Sequence, residues 1–221
     1  MTLRLLPLLL ALLAAARSDA AAQAAAPLAV ATEATDAVWE AAPDSALAPL
    51  TSVGAGDRFS TSGTLALHFA DGLRLRFGPA RGAALAGTYA DGRYADRSVE
   101  LDSGLVRYAF PEAPSAPLVF RAGAATATVS SGTGGVLVDD AELRLVVLSG
   151  EAELFDPNSG QRSAVAAGQA GVIGADGLAV RPNSLAERDL ASEPVQRRRR
   201  LLVPGTDDEG NARTYIIEWD E

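Results

Sequence analysis

The sequence predicts an all-β fold, and two of its features carry that prediction. Between residues 51 and 182, short runs of alternating apolar and polar residues are separated by glycines, and a period of two is typical of strands with one buried face. No stretch in this range is long or periodic enough to predict a helix. We therefore expect an antiparallel sandwich or roll, with an irregular β-helix as the alternative, and a C-terminal β-hairpin.

The composition limits the classes of protein to which the chain can belong. Its 221 residues are enough for one good-sized β domain. It contains no cysteine, which excludes disulfides, thiol nucleophiles and cysteine-ligated zinc. The net charge is −9, and all 19 basic residues are arginine. An acidic chain argues against a nucleic-acid partner, because phosphate binding needs a positive field.

The first residues are predicted to be an export signal. A basic residue precedes an apolar run from Leu5 to Ala16, which would span roughly 18 Å as a helix, short of the ~30 Å of a bilayer core. Small residues permit cleavage after Ala20, Ala22 or Ala24, so we assign residues 1–22 to a signal peptide. The mature chain is then periplasmic or otherwise extracytoplasmic, with no transmembrane span. An uncleaved N-terminal anchor is the alternative.

A linker is predicted after the signal peptide. Residues 23–50 are rich in Ala, Pro and Thr, and Trp39 is their only aromatic side chain. One edge strand could dock through Trp39. The β domain follows over residues 51–182.

The clearest strand pair is a predicted hairpin within residues 64–77. Asp71 and Gly72 form its tight turn, because Asp-Gly readily adopts the positive φ angles of a two-residue hairpin turn. Arg74 and Arg76 are then expected on the solvent face. Apolar residues alternate on the other face of both strands: Leu65, Leu67, Phe69, Leu73, Leu75 and Phe77.

The same arrangement recurs along the domain. A turn-forming residue and a glycine precede an alternating strand at Gly72, Gly104, Gly150 and Gly177. The gaps between these glycines are 32, 46 and 27 residues, whereas a solenoid would keep one period. Similar hairpins, joined by loops of unequal length, are therefore predicted.

The glycine-rich stretch Gly132–Gly135 is predicted to be a bend between two strands. A phosphate-binding loop needs the pattern G-x-x-x-x-G-K-[ST] followed by a helix, whereas this chain has no lysine and resumes a strand-like run at Val136. The dinucleotide pattern G-x-G-x-x-G also fails, because Leu137 takes its last position. No nucleotide or other cofactor is predicted.

Taken in order, several segments resemble the FecR family of extracytoplasmic domains. They are GDRFSTSG, LALHFADGLRLRF, VELDSGLVRYAF, TATVSSGTGGVLV, LRLVVLSGEAEL and AVAAGQAG. The resemblance covers about Val53 to Val180 and implies a FecR-like β domain. It also implies a structural role for the matching positions, which are Gly56, Asp57, Asp71, Gly72, Gly104, Gly132, Thr133, Gly150, Gly168 and Gln169.

The chain departs from the family pattern in two respects. An aromatic or large apolar residue usually follows the Gly-Thr pair in the family, whereas Gly134 and Gly135 stand here and could distort the bend. FecR regulators also carry a cytoplasmic segment that holds a sigma factor, followed by a membrane-spanning helix. Because the N-terminus of this chain is predicted to be an export signal, that part of the family's role is not carried over.

The reactive side chains form no recognisable nucleophilic or metal-binding set. His68 is the only histidine, and the alternation places it on the solvent face of its strand, so no zinc site is predicted. Ser130, Ser131 and Ser149 lie near turns, but no G-x-S-x-G elbow surrounds them. The sequence therefore predicts neither a catalytic triad nor a bound metal.

One pair of carboxylates is a further catalytic candidate. Glu151 and Glu153 alternate on one strand face and resemble the carboxylate pair of a glycosidase. Such pairs usually come from separate elements of a cleft lined with aromatic rings, and only 5% of this chain is aromatic. We interpret the two glutamates as a solvated strand face and predict that the chain is not an enzyme.

The end of the chain is predicted to be a polar connector over residues 183–196 and a hairpin over residues 197–221. Arg197–Arg200 is the one basic cluster. We expect it to pair with the protein's own acidic groups; contact with anionic lipid headgroups or an envelope polymer is the alternative. The acidic hairpin turn lacks the spacing of an EF-hand loop, so a polar turn is favoured over a calcium site. The oxygen donors of that turn are Asp207, Asp208, Glu209 and Asn211.

Together these features predict an exported, non-enzymatic, FecR-like protein that serves as an interaction or scaffold module of the cell envelope. Its expected partner is an envelope protein, and the resemblance alone implies a role in surface signalling related to sigma-factor regulation. The competing interpretation is a module that binds carbohydrate or an envelope polymer. The scarcity of aromatic residues counts against it, because sugar sites favour stacked rings.

Overall fold

The computed structural model describes residues 27–111, 114–139, 142–192, 198–206 and 212–220. The predicted signal peptide and its cleavage sites lie outside these residues. The chain divides into two compact units, Met1–Ala191 and Ser192–Glu221. Among the described residues, the first unit holds fifteen strands and one short helix, and the second holds two strands. The all-β prediction is confirmed.

The strands of the first unit run in chain order as follows. They are β1 (Ala29–Trp39), β2 (Ala42–Ala46), β3 (Ser52–Val53), β4 (Arg58–Phe69), β5 (Arg74–Ala90), β6 (Arg93–Glu100), β7 (Ser103–Ala109), β8 (Leu118–Ala122), β9 (Ala125–Val129), β10 (Thr133–Asp139), β11 (Glu142–Ser149), β12 (Glu151–Asp156), β13 (Gln161–Ala166), β14 (Gln169–Gly174) and β15 (Gly177–Pro182). Helix α1 (Leu185–Ala191) follows them.

The second unit is a two-stranded hairpin. Its strands β16 (Arg198–Thr206) and β17 (Ala212–Asp220) pair antiparallel, with Leu201 opposite Ile217. The predicted C-terminal hairpin is therefore confirmed.

The fifteen strands form one continuous sheet that is folded into two layers. Its order is β13-β12-β9-β8-β6-β5-β7-β10-β11-β14-β15, with β4 and then β1 added beside β5. Residues 84–90 of β5 pair with β6, whereas residues 74–81 pair with β7. We call the portion from β13 to the second half of β5 layer A, and the portion from the first half of β5 to β15 layer B. The β6–β8 pair is parallel, and the other described pairs are antiparallel.

Long strands pass from one layer to the other at glycines. Gly132 separates β9 in layer A from β10 in layer B, and Gly150 separates β11 in layer B from β12 in layer A. Gly168 does the same between β13 and β14, and Gly104 lies where the chain passes from β6 to β7. All four have positive φ angles, between 82° and 119°, which L side chains rarely adopt.

Two of these corners are packed directly against each other. A Cβ atom on Gly132 would lie 2.7 Å from the Cα atom of Gly150, and one on Gly150 would lie 2.8 Å from the Cα atom of Gly132. Each would also collide with the backbone carbonyl next to the other glycine, that of Ser149 or Ser131. The glycine-rich stretch is thus a strand-to-strand bend, as predicted, and it needs glycine because two backbones touch there.

The hydrophobic core lies between the two layers. The rings of Tyr108 in layer B and Phe120 in layer A have centroids 5.9 Å apart, and both side chains are buried. At the far end, Gly171 of β14 lies so close to layer A that a Cβ atom would be 2.9 Å from a methyl group of Val165. The layers therefore pack face to face, as sheets of a sandwich do.

The structure differs from the predictions in how some glycines are used. Gly72 and Gly177 lie at hairpin turns, as predicted. Gly104 and Gly150 instead bend a strand between layers. A further hairpin turn at Asp91–Gly92 joins β5 to β6 and has positive φ at both residues; its Asp-Gly pair is a recognisable signal that the sequence analysis did not use.

Two segments predicted to be irregular contain regular structure. The sequence predicts a linker over residues 23–50, whereas β1 and β2 occupy residues 29–46 and belong to the main sheet. The buried residues of β1 are alanines, whose small side chains give a weak hydrophobic signal. Trp39 packs against the core, as expected of a docked strand. The predicted polar connector, residues 183–196, contains helix α1.

We predict that Gly132→Ala is far more destabilising than Gly56→Ala. Both glycines have φ of 84°, so each substitution carries the left-handed strain of about 1 kcal/mol. Gly56 has no atom within 4 Å of its added Cβ, whereas Gly132 meets backbone. The Gly132 variant should therefore lose more than about 3 kcal/mol of unfolding free energy in urea titrations. Equal losses in the two variants would show that the close approach of the corners is unimportant.

Candidate functional site

Asp71 occupies the predicted turn between β4 and β5. The amide of Phe69 donates a hydrogen bond to the carbonyl of Leu73 (2.9 Å), and the amide of Gly72 donates to the carbonyl of Phe69 (3.0 Å). The Asp71 carboxylate accepts a further bond from the Leu73 amide at 3.3 Å. The hairpin is thus formed where the sequence predicts it, but its turn extends from Phe69 to Leu73, and of the Asp-Gly pair only Gly72 has a positive φ. The acidic side chain of Asp71 is directed inward.

The carboxylate of Asp71 makes a buried ion pair with Arg97 of β6. Nη1 of Arg97 lies 2.9 Å from Oδ1 and 2.8 Å from Oδ2. The arginine side chain is 1% exposed and the aspartate side chain 11%. The backbone amide and the hydroxyl of Ser115 donate to the same carboxylate at 3.2 and 2.8 Å. One turn residue therefore connects β4, β6 and the loop before β8.

Aromatic rings surround the guanidinium of Arg97. Its central carbon lies 5.7 Å from the ring centroid of Phe69, 5.0 Å from that of Tyr94 and 5.3 Å from that of Phe110. Arg97 also donates to the carbonyl of Ala116. Cation–π contacts and a paired carboxylate are what a buried charge requires.

The environment of Asp71 favours its ionised form. Burial alone would raise the pKa of the carboxyl group, but hydrogen bonds from Arg97 and Ser115 and the positive charge of Arg97 outweigh burial, so the net pKa is lowered. The hydroxyl of Tyr94 behind the pair donates to the carbonyl of Leu28 at 2.6 Å, and burial raises the pKa of that hydroxyl. The site is therefore a structural charge pair.

Sequence reasoning identified Asp71 but missed Arg97. The available signal was its position: Arg97 is in step with Val99 and Leu101, which are buried, so it points inward on an alternating strand. An arginine at an inward position demands a carboxylate partner.

The remaining motif residues also have structural positions. Asp57 accepts a hydrogen bond from the amide of Gly54 at 2.7 Å, and Gly56 donates its amide to the carbonyl of Leu85 at 2.8 Å. The amide and hydroxyl of Thr133 both bond to the Ser149 hydroxyl, at 3.1 and 2.9 Å, beside the paired corners. The side chain of Gln169 accepts from the amide of Ala166 at 2.9 Å and so closes the corner at Gly168.

The two glycines that depart from the family pattern lie in a regular strand. Gly134 and Gly135 pair in register with Tyr108 and Arg107 of β7, so the bend before them is not distorted on that side. On the β11 side the register shifts between Thr133 and Gly134. A Cβ atom on Gly134 would lie 2.7 Å from Cζ of the buried Tyr108 ring, and one on Gly135 would lie 3.1 Å from the Cα atom of Ala191 in helix α1. These glycines make room for a core ring and for the helix.

The candidate reactive residues lie on opposite outer faces of the molecule. His68 is exposed and is in register with Arg74 on layer B. Glu151 and Glu153 are exposed on layer A, and Glu153 forms an ion pair of 2.7 Å with Arg162. His68 and the two glutamates therefore lie on strands of different layers.

Layer A carries an open depression on its outer face. It has a volume of about 440 Å³ and is bordered by Thr128, Ser130, Glu151 and Glu153 over a floor of small residues from β13. Beside it, the guanidinium of Arg162 stacks 4.3 Å from the ring of Phe155. In the part of the chain that the structure describes, no cluster of three or more side chains is arranged to hold a metal ion.

The structure describes part of the C-terminal basic cluster. Arg197 and the predicted turn residues Asp207, Asp208, Glu209 and Asn211 lie outside the described residues. Arg198, Arg199 and Arg200 belong to β16. The register places Arg198 opposite Asp220, and Arg200 opposite Glu218.

Comparisons with known proteins find distant structural similarity only. No family model matches the chain, and no curated protein is significantly similar to it. Two crystal structures, at 1.65 and 2.50 Å resolution, are of a protein provisionally assigned as an anti-sigma factor from Parabacteroides distasonis ATCC 8503; they match with TM-scores of 0.41 and 0.38 and identities of 15% and 16%. Each match covers 62% of this chain and 60% of the other. Similarity at this level does not bear on activity. None of the described segments forms a helix with the length and apolar character that a membrane crossing requires.

We predict that Asp71→Asn destabilises the protein by about 3 kcal/mol near neutral pH, because it leaves a buried guanidinium without a countercharge. Glu153→Gln removes an exposed pair, with side chains 48% and 62% exposed, and should cost less than about 0.5 kcal/mol. The folded pKa of Asp71 is below its unfolded value, so the pair stabilises the fold above the unfolded pKa and loses its effect as pH falls through the folded pKa. Urea titrations between pH 7 and pH 3 should show the Asp71 deficit shrinking; a deficit independent of pH would contradict the charge-pair explanation.

A second prediction concerns the C-terminal hairpin. Opposite charges directly across an antiparallel pair contribute roughly 0.2–1 kcal/mol, so the double variant Arg198→Ala, Arg200→Ala should weaken the hairpin. Arg197→Ala with Arg199→Ala is the matched control, since Arg199 is opposite Trp219. Hydrogen exchange of the β16 amides should be faster in the first variant than in the second, and added salt should reduce the difference. Identical exchange in both variants would leave the anionic-partner alternative as the explanation of the cluster.

Proposed function

We propose that this chain is an exported, non-enzymatic module of the cell envelope, related to the FecR extracytoplasmic domains, that acts by binding another envelope protein. Surface signalling related to sigma-factor regulation is the process that it would serve. The partner would contact the outer faces of the folded sheet.

One observation carries the proposed relationship to FecR domains. The motif glycines Gly56, Gly72, Gly104, Gly132, Gly150 and Gly168 all have φ between 82° and 119°, at turns or at corners where a strand changes layer. The pattern that resembles the family thus specifies how the strands bend. A shared bending pattern supports a shared fold and leaves the outward-facing residues free to define the partner.

The distribution of reactive groups supports a binding role over an enzymatic one. His68 and the two glutamates of β12 lie on opposite outer faces, and Ser149 is bonded to Thr133 at a corner. Catalysis requires a nucleophile or base within hydrogen-bond reach of its helpers. The described arrangement brings no such set together.

Most edges of the sheet are covered, which supports contact through its faces more than through added strands. The loop over residues 47–51 covers part of the outer edge of β1: Ala31 exchanges hydrogen bonds with Leu50 and Thr51, and Leu47 donates to the Ala37 carbonyl at 2.8 Å. The two ends of the main strand path, β13 and β15, contact each other. The short strand β2 pairs with β1 alone, so its other edge stays open. Covered edges are a usual protection against unintended strand pairing.

The competing function, binding of carbohydrate or another envelope polymer, has one observation in its favour. The depression on layer A presents hydroxyls and carboxylates beside the Phe155 ring, and sugars bind to such combinations of polar groups and an aromatic face. Against it, Arg162 already covers that ring. A polymer ligand remains the second candidate.

Export and face binding can be tested with the same full chain. We expect the chain, expressed in a Gram-negative host, to be recovered from the periplasm with a mass that corresponds to cleavage after Ala20, Ala22 or Ala24. The purified chain, carrying a photo-crosslinker at His68 on layer B or at Ala164 on layer A, should trap one discrete protein from the isolated envelope fraction of the native organism. The same crosslinker at Asn158, in the exposed turn between β12 and β13, serves as the control.

The outcomes separate the two functions. A protein adduct from one face position, absent from Asn158, supports the proposal. Adducts that disappear when purified envelope polysaccharide is added would favour the competing function. Retention of the unprocessed chain in the cytoplasm would reject both.

A further inference from the structure

Helix α1 is held on the outer face of layer B by polar groups at both of its ends. Its first turn is capped by Ser184: the hydroxyl accepts from the amide of Glu187 at 3.2 Å, and the Ser184 amide donates to the Glu187 carboxylate at 2.8 Å. This reciprocal arrangement is a capping box. Arg181 of β15 makes two bonds to that carboxylate, at 2.9 and 2.7 Å. At the other end, Nε of Arg107 donates to the carbonyl of Leu190 at 2.7 Å.

The surface under the helix is small and flat. Val146, Ala170 and Ala191 form an apolar cluster separate from the main core, with Leu148 beside it. Gly135 completes the surface, because its missing side chain lets the last turn of the helix approach the strand. We call Gly135, Val146 and Ala170, with the rim arginines Arg107, Arg144 and Arg181, the helix seat.

The helix lies outside the main core. The residues of that core come from the strands and their loops, and none of them belongs to α1. The helix has seven residues, and isolated helices of this length are not stable in water. Its order therefore depends on the surface beneath it, whereas the strands of that surface, β10, β11 and β14, are held by their pairing in the sheet.

Some buried polar atoms of the helix segment and of the seat lack a hydrogen-bond partner. Among the described residues, four buried polar side-chain atoms have no hydrogen-bond partner, and two of them are here: Nε of Arg144 and Nδ2 of Asn183. The Arg144 Nε atom lies 3.9 Å from the Glu187 carboxylate, too far for a hydrogen bond. Such unsatisfied groups cost free energy, which lowers the stability of the occupied seat and so favours release of the helix segment.

We infer that α1 is a detachable strap, and that its seat is a docking site for a short acidic helix of a partner protein. The strap itself indicates the ligand: a carboxylate for Arg181 and Arg144, a small residue four positions later over Gly135, and terminal carbonyls for Arg107. In α1 these are Glu187, Ala191 and Leu190. The second unit begins at the residue after the strap. The inference deepens the proposed protein-binding role and rests on it for the nature of the partner.

The test uses the full chain with the strap released or locked. Ala191→Glu alters only the strap, because a longer charged side chain replaces the methyl group against Gly135. The double variant Gly135→Cys, Ala191→Cys locks it: an added Cβ on Gly135 lies 3.2 Å from that of Ala191, a few tenths of an ångström short of disulfide spacing. The chain has no other cysteine, so only this bond can form. Each single cysteine variant is a control.

The probe is a fluorescent peptide with the sequence of residues 183–192. It should bind the Ala191→Glu chain with a Kd at least tenfold lower than that for the unmodified chain, and it should not bind the oxidised locked chain. Reduction should return the affinity of the locked chain for the peptide to at least that of the single Gly135→Cys control, which carries the same added side chain in the seat. A peptide carrying Glu187→Ala should bind at least tenfold more weakly. Hydrogen exchange of α1 amides should be fast in the released chain, while the amides of β10 and β11 stay protected.

Several results would overturn the inference. These are equal binding to released, unmodified and locked chains, no binding to the released chain, or α1 amides that stay protected in Ala191→Glu. If the released variant does not fold, comparison of the oxidised and reduced locked chain decides the question. Failure of peptide binding with intact crosslinking to an envelope protein rejects the strap alone. Peptide binding without export or crosslinking rejects the proposed function alone.

Discussion

The contact between the backbones at Gly132 and Gly150 is the constraint on which the fold depends. Each long strand must serve both layers, so it has to bend sharply while its neighbour bends beside it. Where two bends touch, neither backbone can carry a Cβ atom without meeting the other. The alternation that fills the core works only if both corners stay in register, because a slip of one residue would exchange buried and exposed faces.

The Asp71–Arg97 pair constrains the fold at a second place, the hairpin between β4 and β5. The first hairpin must be placed against β6 and the loop before β8, and the carboxylate reaches all of these. A buried ion pair is weak support for stability, since apolar groups of similar size can replace one without loss. Its geometry, with a carboxylate at a turn and a guanidinium among three rings, matches only one arrangement of the strands. Specificity of pairing is the better explanation of its role.

The sequence predicts a turn correctly where one or two residues determine the local backbone. It fails where pairing with a strand far along the chain determines the local structure. Asp71–Gly72 predicts its hairpin because the turn angles are local. The Ser-Gly pair that begins β7 and the Ser-Gly pair that precedes β12 have the same local pattern, yet they form corners. Pairing partners far along the chain decide which result occurs. Strand β1 was anticipated only as one edge strand docked through Trp39 within a linker, because its buried side chains are alanines. The helix could have been found from Ser184 and Glu187, which are spaced as a capping box, whereas its seat depends on Gly135 and could not.

The residues that carry the family resemblance and the residues that face outward are largely different, and this difference bears on function. These pattern residues form bends and part of one buried charge pair, so they contribute little to an outward-facing surface. What distinguishes this chain lies elsewhere: Gly134 and Gly135 depart from the family pattern, and Gly135 creates the place where α1 rests. Glycine weakens a strand, because it has the most backbone entropy to lose on folding. Gly135 nevertheless stands in β10 at the point where helix α1 packs against it. The glycine at which the chain departs from the pattern that it resembles is therefore also the residue that lets helix α1 lie against β10, and the proposed helix partner would bind at this place.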